Sequence, residues 1–179
     1  MANNKFSISI DQLAANAQLD VETIARKVAL DLFSSVVARS PVGNPDIWKA
    51  NEGRRKARET YNATAAAAGQ KQLSVRTLKK KFQNVVGKGY VGGRFRANWN
   101  FSYGTPDGST TDSTQKQRGQ TEANKAATMN IGGVAYLSNG LVYAQRLEYG
   151  AWSKQAPTGM VRVTAIEFGD KLRKALENK

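Results

Sequence analysis

Apolar residues recur at steps of three or four early in the chain and at steps of two in its middle, and the two rhythms predict different elements. From Asp20 to about Ala38, the side chains of Val21, Ile24, Ala25, Val28, Leu32 and Val36 share one face of a helix, and Phe33 and Val37 widen that stripe. Glu22, Arg26, Lys27, Asp31 and Ser35 fall mainly on the other side. Asp20 suits the N-cap and Glu22 the positive end of the dipole, while Ser40-Pro41 stops the helix. Upstream, Phe6, Ile8 and Ile10 alternate with Ser7 and Ser9, which predicts a short strand before a turn or helical piece around Gln12 to Ala17.

In the middle, Phe95, Ala97, Trp99, Phe101 and Tyr103 alternate strictly with Arg94, Arg96, Asn98, Asn100 and Ser102. A strand puts the first set on one face, either as the core side of a sheet or as a stacking platform for single-stranded nucleic acid. Residues 104–128 are Gly, Ser, Thr, Asp, Gln and Lys with hardly an apolar side chain, and read as a flexible polar loop. A second strand is expected over Ile131–Leu137, followed by a turn at Asn139-Gly140. After that turn, a hairpin return or a short helix fits Leu141, Val142, Ala144, Leu147 and Glu148. A last helix, about Thr158 to Glu177, aligns Val161, Ala165, Phe168, Leu172 and Leu176, with Lys171, Arg173 and Lys174 at its negative end.

The pattern predicts an α+β fold: a small, mainly antiparallel sheet packed by a long helix from the N-terminal half and by a C-terminal helix. One domain would span residues 1–179, with a basic, helical insertion over 49–88. That insertion holds eleven cations against Glu52 and Glu59, so it carries +9 of the net charge of +13. Ala63 and Ala65–Ala68 favour helix there, and Leu73, Val75, Leu78, Phe82 and Val85–Val86 supply a second apolar rhythm. Arg54, Arg55, Lys56, Arg58, Lys79, Lys80 and Lys81 are the candidate residues for contact with DNA or with a partner. The alternative is a solvated, charged arm that binds no polyanion.

Missing residue types narrow the chemistry. The chain has no Cys and no His, which removes thiol nucleophiles, thiolate and imidazole metal ligands, and the usual proton shuttle near neutral pH. The carboxylates are scattered, without a paired motif, and no phosphate-binding glycine loop occurs. The expectation is a protein that is not an enzyme, with no catalytic, cofactor-binding or metal-binding residues. No stretch is apolar enough to span a membrane, and the first residues lack the layout of a signal peptide, so assembly in a cytoplasm is expected.

Three segments and a helix start occur in an order with a family parallel: Ser40-Pro41-Val42-Gly43-Asn44-Pro45, then Gly92-Gly93-Arg94-Phe95-Arg96-Ala97-Asn98-Trp99, then Leu141 to Gly150 containing Tyr143-Ala144 and Leu147-Glu148-Tyr149-Gly150, then Gly159-Met160-Val161-Arg162. This set resembles the phage tail-completion, or neck, family of long-tailed bacteriophages. The resemblance implies a structural virion protein at the head–tail junction, assembled in the host bacterial cytoplasm, that completes the tail and joins it to the DNA-filled head. It implies a closed ring of copies, with six-fold symmetry favoured, meeting head-closure, tail-terminator or tail-tube proteins, with double-stranded DNA passing through. Pro41, Gly93, Arg94, Phe95, Trp99, Tyr143, Ala144, Leu147, Glu148 and Gly150 would be its structural motif residues. The basic insertion is a departure, because family members often pass from the Pro-Val turn to the Gly-Arg block within a short stretch.

The motif residues have expected roles of their own. Gly92–Gly93 allows a tight approach into the strand, Trp99 anchors the core, and Gly150 ends a helix in the left-handed conformation. Glu148 is expected to meet an Arg such as Arg94 or Arg96. The other readings are a free, sequence-nonspecific nucleic-acid-binding protein, or a sibling neck role as tail terminator or head-closure protein.

Overall fold

A computed structural model describes residues 3–177, with side chains from residue 17 onward except Leu19. In chain order the elements are α1 (Asn3–Arg39), α2 (Glu52–Ala67), α3 (Val75–Lys81), α4 (Arg94–Ala97), β1 (Trp99–Tyr103), α5 (Lys116–Asn124), β2 (Ala135–Asn139), α6 (Ala144–Tyr149), α7 (Val161–Ile166) and α8 (Phe168–Glu177). Short 3-10 turns occupy Pro45–Ile47, Lys49–Asn51 and Lys125–Thr128. The fold is α+β, with helices packed on a two-stranded antiparallel sheet. It divides into two compact units: one comprises the chain up to Val42 and from Gly93 onward, the other Gly43–Gly92.

In the first unit, α1 is helical from Asn3, so the strand expected at Phe6–Ile10 is absent and Asp20 lies mid-helix instead of at its cap. Extending an existing helix orders one residue per hydrogen bond gained, whereas a five-residue strand needs a neighbour to pair with. The predicted stop holds: Ser40 donates its N–H to the Val37 carbonyl (3.1 Å) and its hydroxyl to the Val36 carbonyl (2.9 Å) just before Pro41. α5, α7 and α8 pack against α1.

The predicted strand 94–103 is a strand only from Trp99, and residues 94–97 wind into the turn α4. Two features cause the difference. Gly93 has φ of +130°, which reverses the chain before Arg94, and a Cβ there would stand 2.4 Å from the Thr114 carbonyl oxygen. β2 pairs only from Trp99↔Asn139 to Tyr103↔Ala135, so residues 94–98 have no ladder partner. The buried Asn98 amide acts as one, donating to the carbonyls of Arg94 (2.7 Å) and Thr111 (2.9 Å) and accepting the Thr111 N–H (2.7 Å). β2 begins later than expected, and no third strand follows Asn139-Gly140; α6 takes the helical alternative.

The polar stretch 104–128 is not a structureless loop. It contains α5, whose buried positions are Gly119 and Ala123, and the 3-10 turn that follows buries Ala126. Small residues let α5 approach closely: a Cβ at Gly119 would lie 2.0 Å from the Arg96 carbonyl oxygen. Side chains pin the rest, Asn100 to the Ser109 carbonyl (2.8 Å) and Ser138 to the Asp107 carbonyl (2.8 Å). The single C-terminal helix expected is two, α7 and α8, broken at Glu167. There Arg39 holds both Thr164 Oγ1 (2.8 Å) and the Glu167 carboxylate (2.6 Å).

The second unit has little apolar interior: Ala65 and Leu78 are its buried hydrophobic residues. Trp48 packs edge-on against Tyr90 with centroids 5.2 Å apart, and Tyr61 against Phe82 at 5.8 Å. At its centre lies Asn51, wholly buried, whose amide nitrogen donates to the carbonyls of Pro45 (2.8 Å) and Val86 (3.0 Å). Its oxygen accepts the N–H groups of Val85 (2.8 Å) and Val86 (3.1 Å). Asn62 bridges Leu73 in the same way, and Ser74 caps α3 by accepting the Thr77 N–H. Among the described residues no helix is long and apolar enough to cross a membrane.

Candidate functional site

Of the motif residues, Phe95, Trp99, Tyr143, Ala144 and Leu147 meet in the core of the first unit, whereas Arg94 and Gly150 are exposed. Phe95 and Trp99, four residues apart, meet edge-on at 5.9 Å, and Phe95 also meets Tyr143 at 6.0 Å. Val36, Val37, Ala123, Leu141, Leu147, Ala156 and Met160 complete the cluster, and Ala144 packs against it. Trp99 donates its indole N–H to Ser40 Oγ at 2.7 Å, tying the end of α1 to the start of β1. The aromatic face is therefore the core side of the sheet, although Tyr103 at its far end is exposed.

Glu148 is buried at the start of α7. Its carboxylate accepts the backbone N–H groups of Met160 (2.8 Å), Val161 (3.1 Å) and Arg162 (2.9 Å). Arg162 lies 3.6 Å from Oε1 and donates to the Glu148 carbonyl at 2.6 Å. The predicted partners are elsewhere: Arg94 pairs with Asp112 (2.7 Å), and Arg96 donates to the carbonyls of Ser40 (2.6 Å) and Ala38 (2.8 Å), closing the C-terminal end of α1. Burial opposes ionisation of Glu148, but the three N–H groups together with the Arg162 charge outweigh it and hold the carboxyl below its usual range. Gly159 (φ +85°) is needed for this grip, since a Cβ there would stand 2.6 Å from Glu148. Such a carboxylate acts as a fixed anchor for α7. Gly150 does end α6, but with φ of −93°; the left-handed residue is Ala151, at φ +49°.

The candidate basic residues separate into two groups within the second unit. Asp46 takes Arg58 (3.1 Å) and Lys79 (2.8 Å), Glu52 takes Lys56 (3.0 Å), and Glu59 lies 3.9 Å from Arg55. Hydrogen bonds from Lys79 and Asn84, and the charges of Lys79 and Arg58, hold the Asp46 carboxyl below its ordinary value despite partial burial. Arg58 also donates to the Phe82 carbonyl (2.8 Å) and to Asn84 Oδ1 (3.2 Å), so its role is internal. By contrast, Arg54, Lys80 and Lys81 line a cleft of about 380 Å³ together with Lys88, Gln83 and Asn84. Sequence reasoning did not single out Asp46 or Asn51, whose signal is a lone carboxylate and a lone amide, nor Lys88 as a member of this cluster.

A second surface lies on the first unit, where α1 and α8 leave an apolar groove of about 400 Å³ lined by Val21, Ile24, Val28, Leu32, Phe168 and Leu172. Val21 is 61% exposed and Phe168 48%. No group of three or more potential metal-ligating side chains gathers among the described residues. Comparison of the chain with protein-family models, with curated proteins and with solved structures gave no match.

Proposed function

We propose that this chain is a structural protein of the neck of a long-tailed bacteriophage, completing the tail and joining it to the DNA-filled head. The observation that carries the reading is the convergence of the ordered motifs. Ser40, Phe95, Trp99, Tyr143, Leu147, Glu148 and Met160 come from four separate segments and serve one framework, as residues of a fold signature would. Glu148, the carboxylate of that framework, is engaged in holding α7 through three backbone N–H groups, a structural role. The protein then acts through surfaces: the exposed apolar groove and the basic cleft are of the kinds that association covers. Copies would form a closed ring, six-fold favoured, through heterologous contacts between neighbours, with head-closure, tail-terminator or tail-tube proteins above and below.

The decisive experiment is deletion from the phage genome combined with imaging. Unjoined heads and tails in the mutant, and density for this chain at the junction of wild-type particles, are expected. Normal, joined virions lacking the chain would end the proposal. A second reading, a free nucleic-acid-binding protein, is favoured by the carboxylate-free basic cleft; it predicts the chain in complexes with nucleic acid and not in particles. A tail-terminator or head-closure role would appear as the same neck density at a different level.

A further inference from the structure

We infer that the cleft lined by Arg54, Lys80, Lys81 and Lys88 binds the phosphodiester backbone of double-stranded DNA, gripping phosphates without reading bases. The second unit carries eleven cations against Asp46, Glu52 and Glu59. All three carboxylates are engaged by other cations, and none lines the cleft. Four like charges border one concavity of about 380 Å³, with no carboxylate among its lining residues, and like charges gathered this way repel one another. A surface charged only for solubility disperses its cations or pairs them; this one segregates them, and an anion is what relieves the repulsion.

The shape of the site follows from its internal ties. Arg58, only 10% exposed, holds the Phe82 carbonyl and Asn84, and Asn84 in turn donates to Asp46 at 2.9 Å. The segment from Phe82 to Asn84 is thereby fixed; it presents Gln83 and Asn84 to the cleft and directly follows Lys80 and Lys81, which also line it. The ligand class follows from what the walls lack. Val85 is the single apolar side chain among the lining residues, so the cleft offers no anchor for the apolar centre of a protein interface. The nearby rings offer no stacking platform either: Tyr61 packs on Phe82, and Lys81 Nζ covers Tyr61 at 4.2 Å from its centroid. What remains is a strongly cationic, polar concavity, suited to a chain with one charge per nucleotide. The choice of duplex DNA rests on the neck reading, whereas the phosphate site itself stands on the charge geometry.

The test is a titration of the full chain with a fluorescent 30-base-pair duplex at several salt concentrations. The variant Arg54→Gln/Lys80→Gln/Lys88→Gln is compared with a charge-matched control, Lys49→Gln/Lys71→Gln/Arg76→Gln, taken from exposed positions of the same unit outside the cleft. The cleft variant is expected to lose about tenfold or more in affinity and to flatten the salt dependence by about one unit of slope per lost phosphate contact, while the control loses only about two- to threefold. Equal losses in both variants, or no binding by the wild type at low salt, would overturn the site. Tighter binding of poly-glutamate than of duplex would overturn the choice of nucleic acid. Unchanged thermal melting of both variants separates lost contact from lost fold, and the virion deletion experiment can fail without affecting any of these outcomes.

Discussion

The two compact units solve the same problem with opposite materials. The first buries a continuous apolar cluster from Val36 to Met160 and adds polar ties at its margins. The second, at fifty residues, has almost no apolar interior, and is organised around one buried amide, Asn51, and one carboxylate, Asp46. Small units bury a smaller fraction of their surface, so directional hydrogen bonds must do more of the specifying. The contrast also accounts for where the basic charge is concentrated. A unit that spends only three carboxylates on itself leaves most of its cations facing outward, free for a partner.

Substitutions in each unit probe what holds it together. Trp99→Ala removes the ring joining Phe95 to the α1 terminus and should destabilise the first unit by about 3–5 kcal/mol, read by denaturant unfolding. A loss below about 1 kcal/mol would mean the apolar cluster is not what holds that unit. Glu148→Gln keeps the shape but replaces one acceptor oxygen with an NH₂ group facing backbone donors, at a cost of about 2–3 kcal/mol. Hydrogen exchange should show the loss first at residues 160–166.

Asn51→Ala strands two N–H and two carbonyl groups and should cost about 2 kcal/mol, with exchange protection lost across 43–92 while the first unit keeps its own. Equal loss in both units would contradict their separateness. Asp46→Asn should cost the least, about 1 kcal/mol, since its pairs are partly open to solvent.

Acid tests both halves at once. The carboxyls of Glu148 and Asp46 are both held below their ordinary values in the folded chain. Their contributions are therefore present at neutral pH, begin to fade as pH falls through the ordinary carboxylate range near about 4, and vanish below the folded values. Melting temperature should fall with acidification across that window, and less steeply in Glu148→Gln and Asp46→Asn.

How much was legible differs element by element. The α1 stripe, its stop at Ser40-Pro41, the core role of Trp99 and the helical character of 49–88 are local properties, set by apolar spacing, proline and helix propensity, and the sequence by itself determined them. The α+β class followed from the same signals. The remaining features arose from packing. It turned residues 94–97 into α4, because strand formation needs a neighbour and β2 reaches only to Trp99. It seated α5 on two small residues, Gly119 and Ala123, and Gly119 lets two backbones approach more closely than any side chain would allow, a quantity no hydrophobic rhythm reports. It gave Glu148 to three backbone N–H groups instead of Arg94 or Arg96, and it sorted eleven cations into those paired internally, those lining a cleft and those exposed elsewhere on the unit. Spacing along a chain fixes which face a side chain takes within its own element; which charge meets which partner depends on contacts between residues far apart in sequence, and those exist only once the units have packed.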